Sequence, residues 1–310
     1  MRPIMRISHI VFAGVFCLTG AALLDGCTSL RNEVDPNLLG AASTKLVVSG
    51  FLSPQDTTLA VKVTRSNTVV GDSISLLQTG NNVTDATVTL SDGSKSVVLP
   101  YNNVAAKDTV RNRPYYSISA RQLPIIAGHT YVLTIVSKGQ RATSTCTIPA
   151  AVSPTGITLN DSLNRRPFVN IKWHDPSGQA NYYQITGIFR YITINCKSCQ
   201  NESYNTLAFD DDSRGLYSDD LQEGQDMDSG RAYLTSGSTT NFYNQYRTAS
   251  VTANLMSVDQ AYYRFQDAIN RQRRSRNNPF AEPVLIPSNI EGGLGCFAGY
   301  NNSTMTLKLK

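Results

Sequence analysis

The chain has 310 residues, of which only 16% are charged, and its 28 Lys and Arg against 23 Asp and Glu give a formal charge of +5. So slight an excess does not mark a nucleic-acid binder. Thr, Ser, Asn, Val and Tyr are abundant, which suits half-buried strands better than helices, so a mainly β protein is the first expectation.

The first 26 residues read as a leader. Arg2 and Arg6 precede an apolar run from Ile10 to Leu24, and Leu24-Asp25-Gly26-Cys27 follows. A basic start, a short apolar stretch and a small residue before cysteine form a bacterial lipoprotein signal, cut so that Cys27 becomes the acylated N-terminus. The run is broken by Gly14 and Gly20 and falls short of the ~20 residues a spanning helix needs. The expectation is therefore an exported protein held to a membrane by lipid on Cys27, which also makes nucleic acid an improbable partner. Loss of Arg2, Arg6 and Asp25 with the leader takes 28 basic and 23 acidic residues to 26 and 22, a charge of +4 over 284 residues. Residues 27–44, with Pro36, Gly40 and no periodicity, read as a tether. Glu33 and Asp35 within it form a weak acidic patch of the kind that serves some lipoproteins as a surface-export signal.

Residues 45–149 alternate strand patterns with turns. Leu46, Val48 and Gly50 share one face, as do Leu59, Val61 and Val63. Ala86–Leu90 and Lys95–Leu99 flank Ser91-Asp92-Gly93-Ser94, a hairpin signal. Tyr131, Leu133 and Ile135 alternate after Gly128, and Gly139 turns the chain into Ala142–Ile148. This spacing predicts a β-sandwich of immunoglobulin or transthyretin-like type. Pro149 and Pro154 frame a linker.

A second β-rich domain is expected over residues 155–310. Val169, Ile171 and Trp173 lead into Trp173-His174-Asp175-Pro176 and a Tyr-rich strand from Tyr182 to Ile194, a pair resembling part of a fibronectin type III domain. One helix is predicted over residues 258–276, with Ser257 as its N-cap and Gln260 at the capping-box position. Arg271, Arg273, Arg274 and Arg276 crowd its end, where cations complement the helix dipole. Lipid phosphates or an acidic partner face are the functional alternative for them. A strand at Met305–Leu309 closes the chain.

The mature chain keeps Cys146, Cys196, Cys199 and Cys296, which allow three pairings. Cys196-Lys197-Ser198-Cys199 has spacing suited to zinc or redox work, yet a structural zinc site needs about four ligands and only one such pair is present. A structural disulfide involving Cys196 and Cys199 is the preferred reading. Asp210, Asp211, Asp212, Asp219, Asp220, Glu223, Asp226 and Asp228 crowd one segment. Arg214 and Leu221 break the EF-hand pattern, which favours a solvated acidic loop over a calcium site. Gly-x-Ser-x-Gly, His-Glu-x-x-His and phosphate-binding glycine loops do not occur, and neither His129 nor His174 sits by a nucleophile motif. No enzyme activity, metal or cofactor is expected.

The most specific text lies near the end: Asn278-Pro279-Phe280-Ala281-Glu282-Pro283, then Asn289-Ile290-Glu291-Gly292-Gly293-Leu294-Gly295-Cys296-Phe297-Ala298-Gly299-Tyr300. With Leu46-Val47-Val48-Ser49-Gly50, Asp85-Ala86 and Thr147-Ile148-Pro149, it resembles the Bacteroidota lipoprotein family called domain of unknown function 4249. The resemblance implies an outer-membrane, surface-facing lipoprotein, non-enzymatic, working beside a TonB-dependent outer-membrane transporter in substrate capture or uptake. An adhesin or envelope-structural protein, and a metal-handling lipoprotein using Cys196, Cys199 and the acidic loop, are the alternatives. The glycines Gly292, Gly293 and Gly295 are expected to let their segment pack flat on the preceding helix, with Phe280 and Phe297 as apolar anchors.

Overall fold

Alternation of apolar and polar residues becomes alternation of buried and exposed ones along the strands. In the computed structural model, which describes residues 44–66, 81–102, 115–161, 165–196, 200–210, 213–237, 242–275, 280, 282 and 284–310, the first strands are β1 (Leu46–Leu52), β2 (Thr58–Arg65), β3 (Thr87–Ser91) and β4 (Ser96–Leu99). They are followed by β5 (Tyr101–Asn102), β6 (Tyr115–Ser119), β7 (Thr130–Ser137) and β8 (Gln140–Thr147). Leu46, Val48, Leu59, Val61, Tyr131, Leu133 and Ile135 are all buried, on the faces their period of two assigned them. The β3–β4 hairpin forms, with Asp92 Oδ1 accepting the N–H groups of Ser94 and Lys95 at 2.9 and 2.7 Å. Gly139 joins Lys138 in a two-residue turn between β7 and β8, with φ of 78° and 48°, the paired positive values that match strand twist.

The later part contains β9 (Pro154–Asn160), β10 (Phe168–His174), β11 (Tyr182–Thr193), β12 (Ser203–Thr206), β13 (Ala208–Phe209), β14 (Leu216–Ser218), β15 (Asp226–Asp228) and β16 (Ala232–Tyr233). A long β17 (Tyr246–Val258), helix α1 (Gln260–Ser275) and β18 (Gly293–Lys308) complete it. The fold is mainly β and sandwich-like. A nine-stranded sheet runs β12-β11-β17-β18-β1-β2-β6-β5 with β14 beside β11, and two smaller sheets, β4-β3-β7-β8 and β13-β16-β10-β15 with β9 on β10, supply the other layers.

Two hydrophobic cores result. One takes its side chains from β1 to β8, and the other, centred on Trp173, Tyr183 and Phe189, from β9 onward. Each fully buried side chain of this size contributes about 1.5–3 kcal/mol. The first core reaches Ile148 and the second starts at Val152, while Ile290 and Phe297, from the end of the chain, belong to the first core. The predicted linker is itself held to the body, since the Val152 N–H donates to Ser257 Oγ at 3.2 Å.

Strand β18 explains why the end of the chain joins the first core. Its first half pairs in parallel with β1, from Leu46 opposite Gly293 to Leu52 opposite Gly299. Its second half pairs antiparallel with β17, from Val258 opposite Tyr300 to Ser250 opposite Lys308. The strand expected at Met305–Leu309 covers only the last four residues of β18, because the glycine-rich half lacks the apolar alternation that signals a strand.

Candidate functional site

The family-like text assembles around the first half of β18. Where β17 ends, Asp259 continues the ladder, its N–H donating to the Gly299 carbonyl at 3.0 Å and its Oδ2 accepting the Gly299 N–H at 2.7 Å. Its Oδ1 accepts the N–H of Tyr262 at 2.8 Å, so Asp259 is the helix N-cap. That corrects the assignment to Ser257, which lies within β17 and accepts from Val152. One residue thus ends a strand, starts a helix and closes part of the exposed edge of β18.

Asn289 closes the next part. Its Oδ1 accepts the Phe297 N–H at 3.0 Å and its Nδ2 donates to the Phe297 carbonyl at 2.6 Å, so a side-chain amide stands in for a neighbouring strand. Thr143 and Glu291 exchange backbone bonds of 3.0 and 2.8 Å, tying the same segment to β8. The expectation that the glycines lie flat on the helix is corrected here. A Cβ on Gly292 would meet the Arg141 carbonyl and one on Gly295 the Val48 carbonyl, so the close approaches are to β8 and β1.

Between this segment and the first turn of α1 lies a cavity of about 210 Å³, bordered by Gln260, Arg264, Ser288, Asn289 and Cys296. Burial, with the Asp259 charge nearby, pushes the Cys296 thiol up to about 12. Burial also raises the free thiol of Cys146. Neither is a thiolate at neutral pH, and the cavity offers no activated nucleophile. On the other side of α1, Tyr262 packs edge-on to Phe51 with centroids 5.4 Å apart, and Tyr263 lies against Tyr182 at 4.8 Å.

Asp56 and Asp259, both half-buried, and Asp219, which is buried, titrate above the ordinary carboxylate value of 3.8, each chiefly because partial or full burial penalises its charge. The folded chain therefore holds more protons than the unfolded one between 3.8 and the raised native values, and stability falls as pH rises through that window. Asp92, held below the ordinary value by its bonds from Lys95 and Ser94, acts oppositely at lower pH. The contribution of the three raised carboxylates is a melting temperature that falls as pH rises above 3.8, and Asp259→Asn is expected to make that fall shallower. Thermal melts of the two proteins across a pH series starting near 3.8 check this, and an Asp259→Asn profile that falls as steeply as that of wild type would contradict it.

The acidic segment is organised by local bonds. Asp219 is buried and accepts the Asn181 N–H at 2.7 Å, Glu223 accepts the Gly178 N–H at 2.9 Å, and Asp228 accepts from Asn170 Nδ2 and the Gly230 N–H at 2.9 and 2.7 Å. Asp226 meets His174 at 2.9 Å and Asp210 meets Arg231 at 3.3 Å. Among the described residues no three metal-ligating side chains converge. Asp211 and Asp212 lie outside the described residues.

The residue that sequence reading missed is Asp175. It is fully buried, takes the Tyr183 hydroxyl on Oδ1 and accepts the Gly224 N–H on Oδ2 at 2.9 Å. The available signal was an aspartate set between a strand end and Pro176, where a short carboxylate can fix a turn.

Of the predicted site residues, Cys196 is described and is disulfide-bonded, whereas Cys27 and Cys199 lie outside the described residues. Arg271 pairs with Asp267 at 2.8 Å, and Arg273 and Arg274 occupy the last turn of α1. Phe297 is buried in the first core, as an apolar anchor should be. Phe280 is not such an anchor: it is 92% exposed, and Leu285 on the same segment is 89% exposed.

The helix, the Asn289 clasp and the glycine-rich half of β18 give the C-terminal signature a physical meaning. A family profile described as domain of unknown function, DUF4249, matches residues 31–306. The chain belongs to the DUF4249 family. The match takes in β1 to β17, α1 and all but the last two residues of β18, so the DUF4249 unit spans both hydrophobic cores and not one alone. No curated protein matches this DUF4249 chain. Among solved structures, the C-terminal globular domain of oligosaccharyltransferase from Pyrococcus abyssi aligns at 11% identity with a TM-score of 0.18. That alignment covers 82% of this chain and 43% of the other. At that TM-score the likeness carries no argument about the DUF4249 fold or its function.

Proposed function

We propose that this chain is a non-enzymatic outer-membrane lipoprotein that acts as an accessory to a TonB-dependent transporter in substrate capture or uptake. The leader ending at Cys27 and the unpatterned residues 28–44 support a lipid anchor followed by a tether. The choice of partner follows what the sequence resemblance implies. The observation that carries the partner role is the pair of adjacent apolar side chains before β18, Leu285 and Ile286, which are 89% and 37% exposed. Neighbouring apolar side chains left in water favour burial against a partner. No helix among the described residues is long and apolar enough to cross a membrane, and in this reading acyl chains on Cys27 hold the protein at the bilayer.

Metabolic labelling with a palmitate analogue in a Bacteroidota host tests the anchor. The wild-type protein is expected to carry label and fractionate with the outer membrane, and Cys27→Ser to lose the label. An unlabelled wild-type protein, or a labelled Cys27→Ser variant, would contradict the anchor.

A further inference from the structure

A second cleft lies apart from the C-terminal signature, where the chain leaves β12 at the edge of the nine-stranded sheet and enters β13 of the five-stranded one. Its volume is about 400 Å³, within the range of about 300–1,000 Å³ typical of small-molecule sites. Leu234 lies on its floor, and Asn205 Nδ2 holds β12 to that floor by donating to the Leu234 carbonyl at 3.2 Å.

Arg166 is the charged residue that lines the cleft. Its Nε donates to the Thr235 carbonyl and its guanidinium lies over the Tyr233 ring, 4.0 Å from the centroid. Two anchors fix the plane and leave the terminal nitrogens without a protein partner among the described residues. Arg231 approaches the same ring at 5.8 Å, but its Nε is paired with Asp210. No carboxylate among the described residues lines the cleft to neutralise Arg166. A planar guanidinium held in this way is suited to a carboxylate, which it can take through two parallel bonds.

The remaining lining restricts what carries that carboxylate. Tyr204 is 66% exposed and borders the cleft with Thr206 and Ser236. An aromatic face beside hydroxyl and amide groups suits a ring with an apolar face and a hydroxylated edge. We propose that this cleft binds a carboxylate-bearing sugar, with the Arg166 terminal nitrogens on the carboxylate, Tyr204 stacked on the sugar ring, and Asn205, Thr206 and Ser236 at its hydroxyls. The proposal deepens the capture role above and rests on it for its biological meaning, but its chemistry stands on the cleft alone.

Calorimetric titration of the purified, detergent-solubilised lipoprotein tests it, with glucuronate as probe and glucose and glutarate as controls. Glucuronate is expected to bind at least tenfold more tightly than either control. Arg166→Gln is expected to weaken glucuronate at least tenfold, and Tyr204→Ala at least threefold without a change in melting temperature. Since Tyr204 is exposed and outside both cores, that variant decides the matter even where Arg166→Gln fails to fold. Glutarate binding as well as glucuronate would reduce the cleft to a plain carboxylate site and overturn the proposal, as would unchanged affinity in Tyr204→Ala. With no transporter present in the titration, a negative result bears on the sugar alone and leaves the transporter complex to its own test.

Discussion

Gly295→Ala is expected to lower stability by about 4 kcal/mol or more, and to give protein that is largely insoluble or melts about 10 °C lower. Two effects combine at this position. The residue has φ of 113°, a conformation that costs an L-residue about 1–3 kcal/mol, and its added Cβ would sit 1.9 Å from the Val48 carbonyl oxygen. Val48 lies directly opposite Gly295 in the β1–β18 pairing, so relief would separate the strands that join the chain's end to the first core. Gly93→Ala is the matched control: its φ is 90°, but nothing lies within 4 Å of an added Cβ. About 1 kcal/mol is expected there from backbone strain alone. Thermal melts of the two variants separate strain from collision, and equal losses would contradict the account of β18.

Asp175→Ala is expected to lower stability by about 3 kcal/mol. The carboxylate is fully buried, and its removal leaves the Tyr183 hydroxyl and the Gly224 N–H without their acceptor. Each stranded buried group costs about 1–3 kcal/mol, while relief of the like charge on nearby Asp219 returns a fraction of that. Asp220→Ala, at an exposed member of the acidic segment, is expected to stay within about 0.5 kcal/mol of wild type. Denaturant unfolding measures both. Equal effects would mean that the segment acts through net charge and not through the Asp175 bonds.

The sequence was most readable where one face of a strand is buried and the other is wet. Leu46, Val48 and Leu59, or Tyr131, Leu133 and Ile135, announce themselves by period alone. It was least readable where backbone does the work of side chains. Gly292 to Gly295 carry almost no apolar pattern, yet they start the strand shared by both halves of the large sheet. The helix was visible from Ala261, Tyr262, Phe265 and Ala268, but its cap was displaced. Ser257 and Asp259 are both good caps by type, and the choice between them depends on Gly299, 40 residues onward. The cleft at Arg166 had no local signature, because Arg166, Tyr204 and Tyr233 are far apart in sequence and meet only when β12 and β16 are brought together.

The proposed role is that of a lipid-anchored protein working with an outer-membrane transporter. Affinity purification of the acylated protein from detergent-solubilised native membranes, with mass spectrometry of what accompanies it, addresses that claim most directly. A TonB-dependent transporter recovered in stoichiometric amount, and lost from a Leu285→Ser, Ile286→Ser double variant, is the predicted result. Recovery of the lipoprotein alone, even after mild crosslinking, would contradict it.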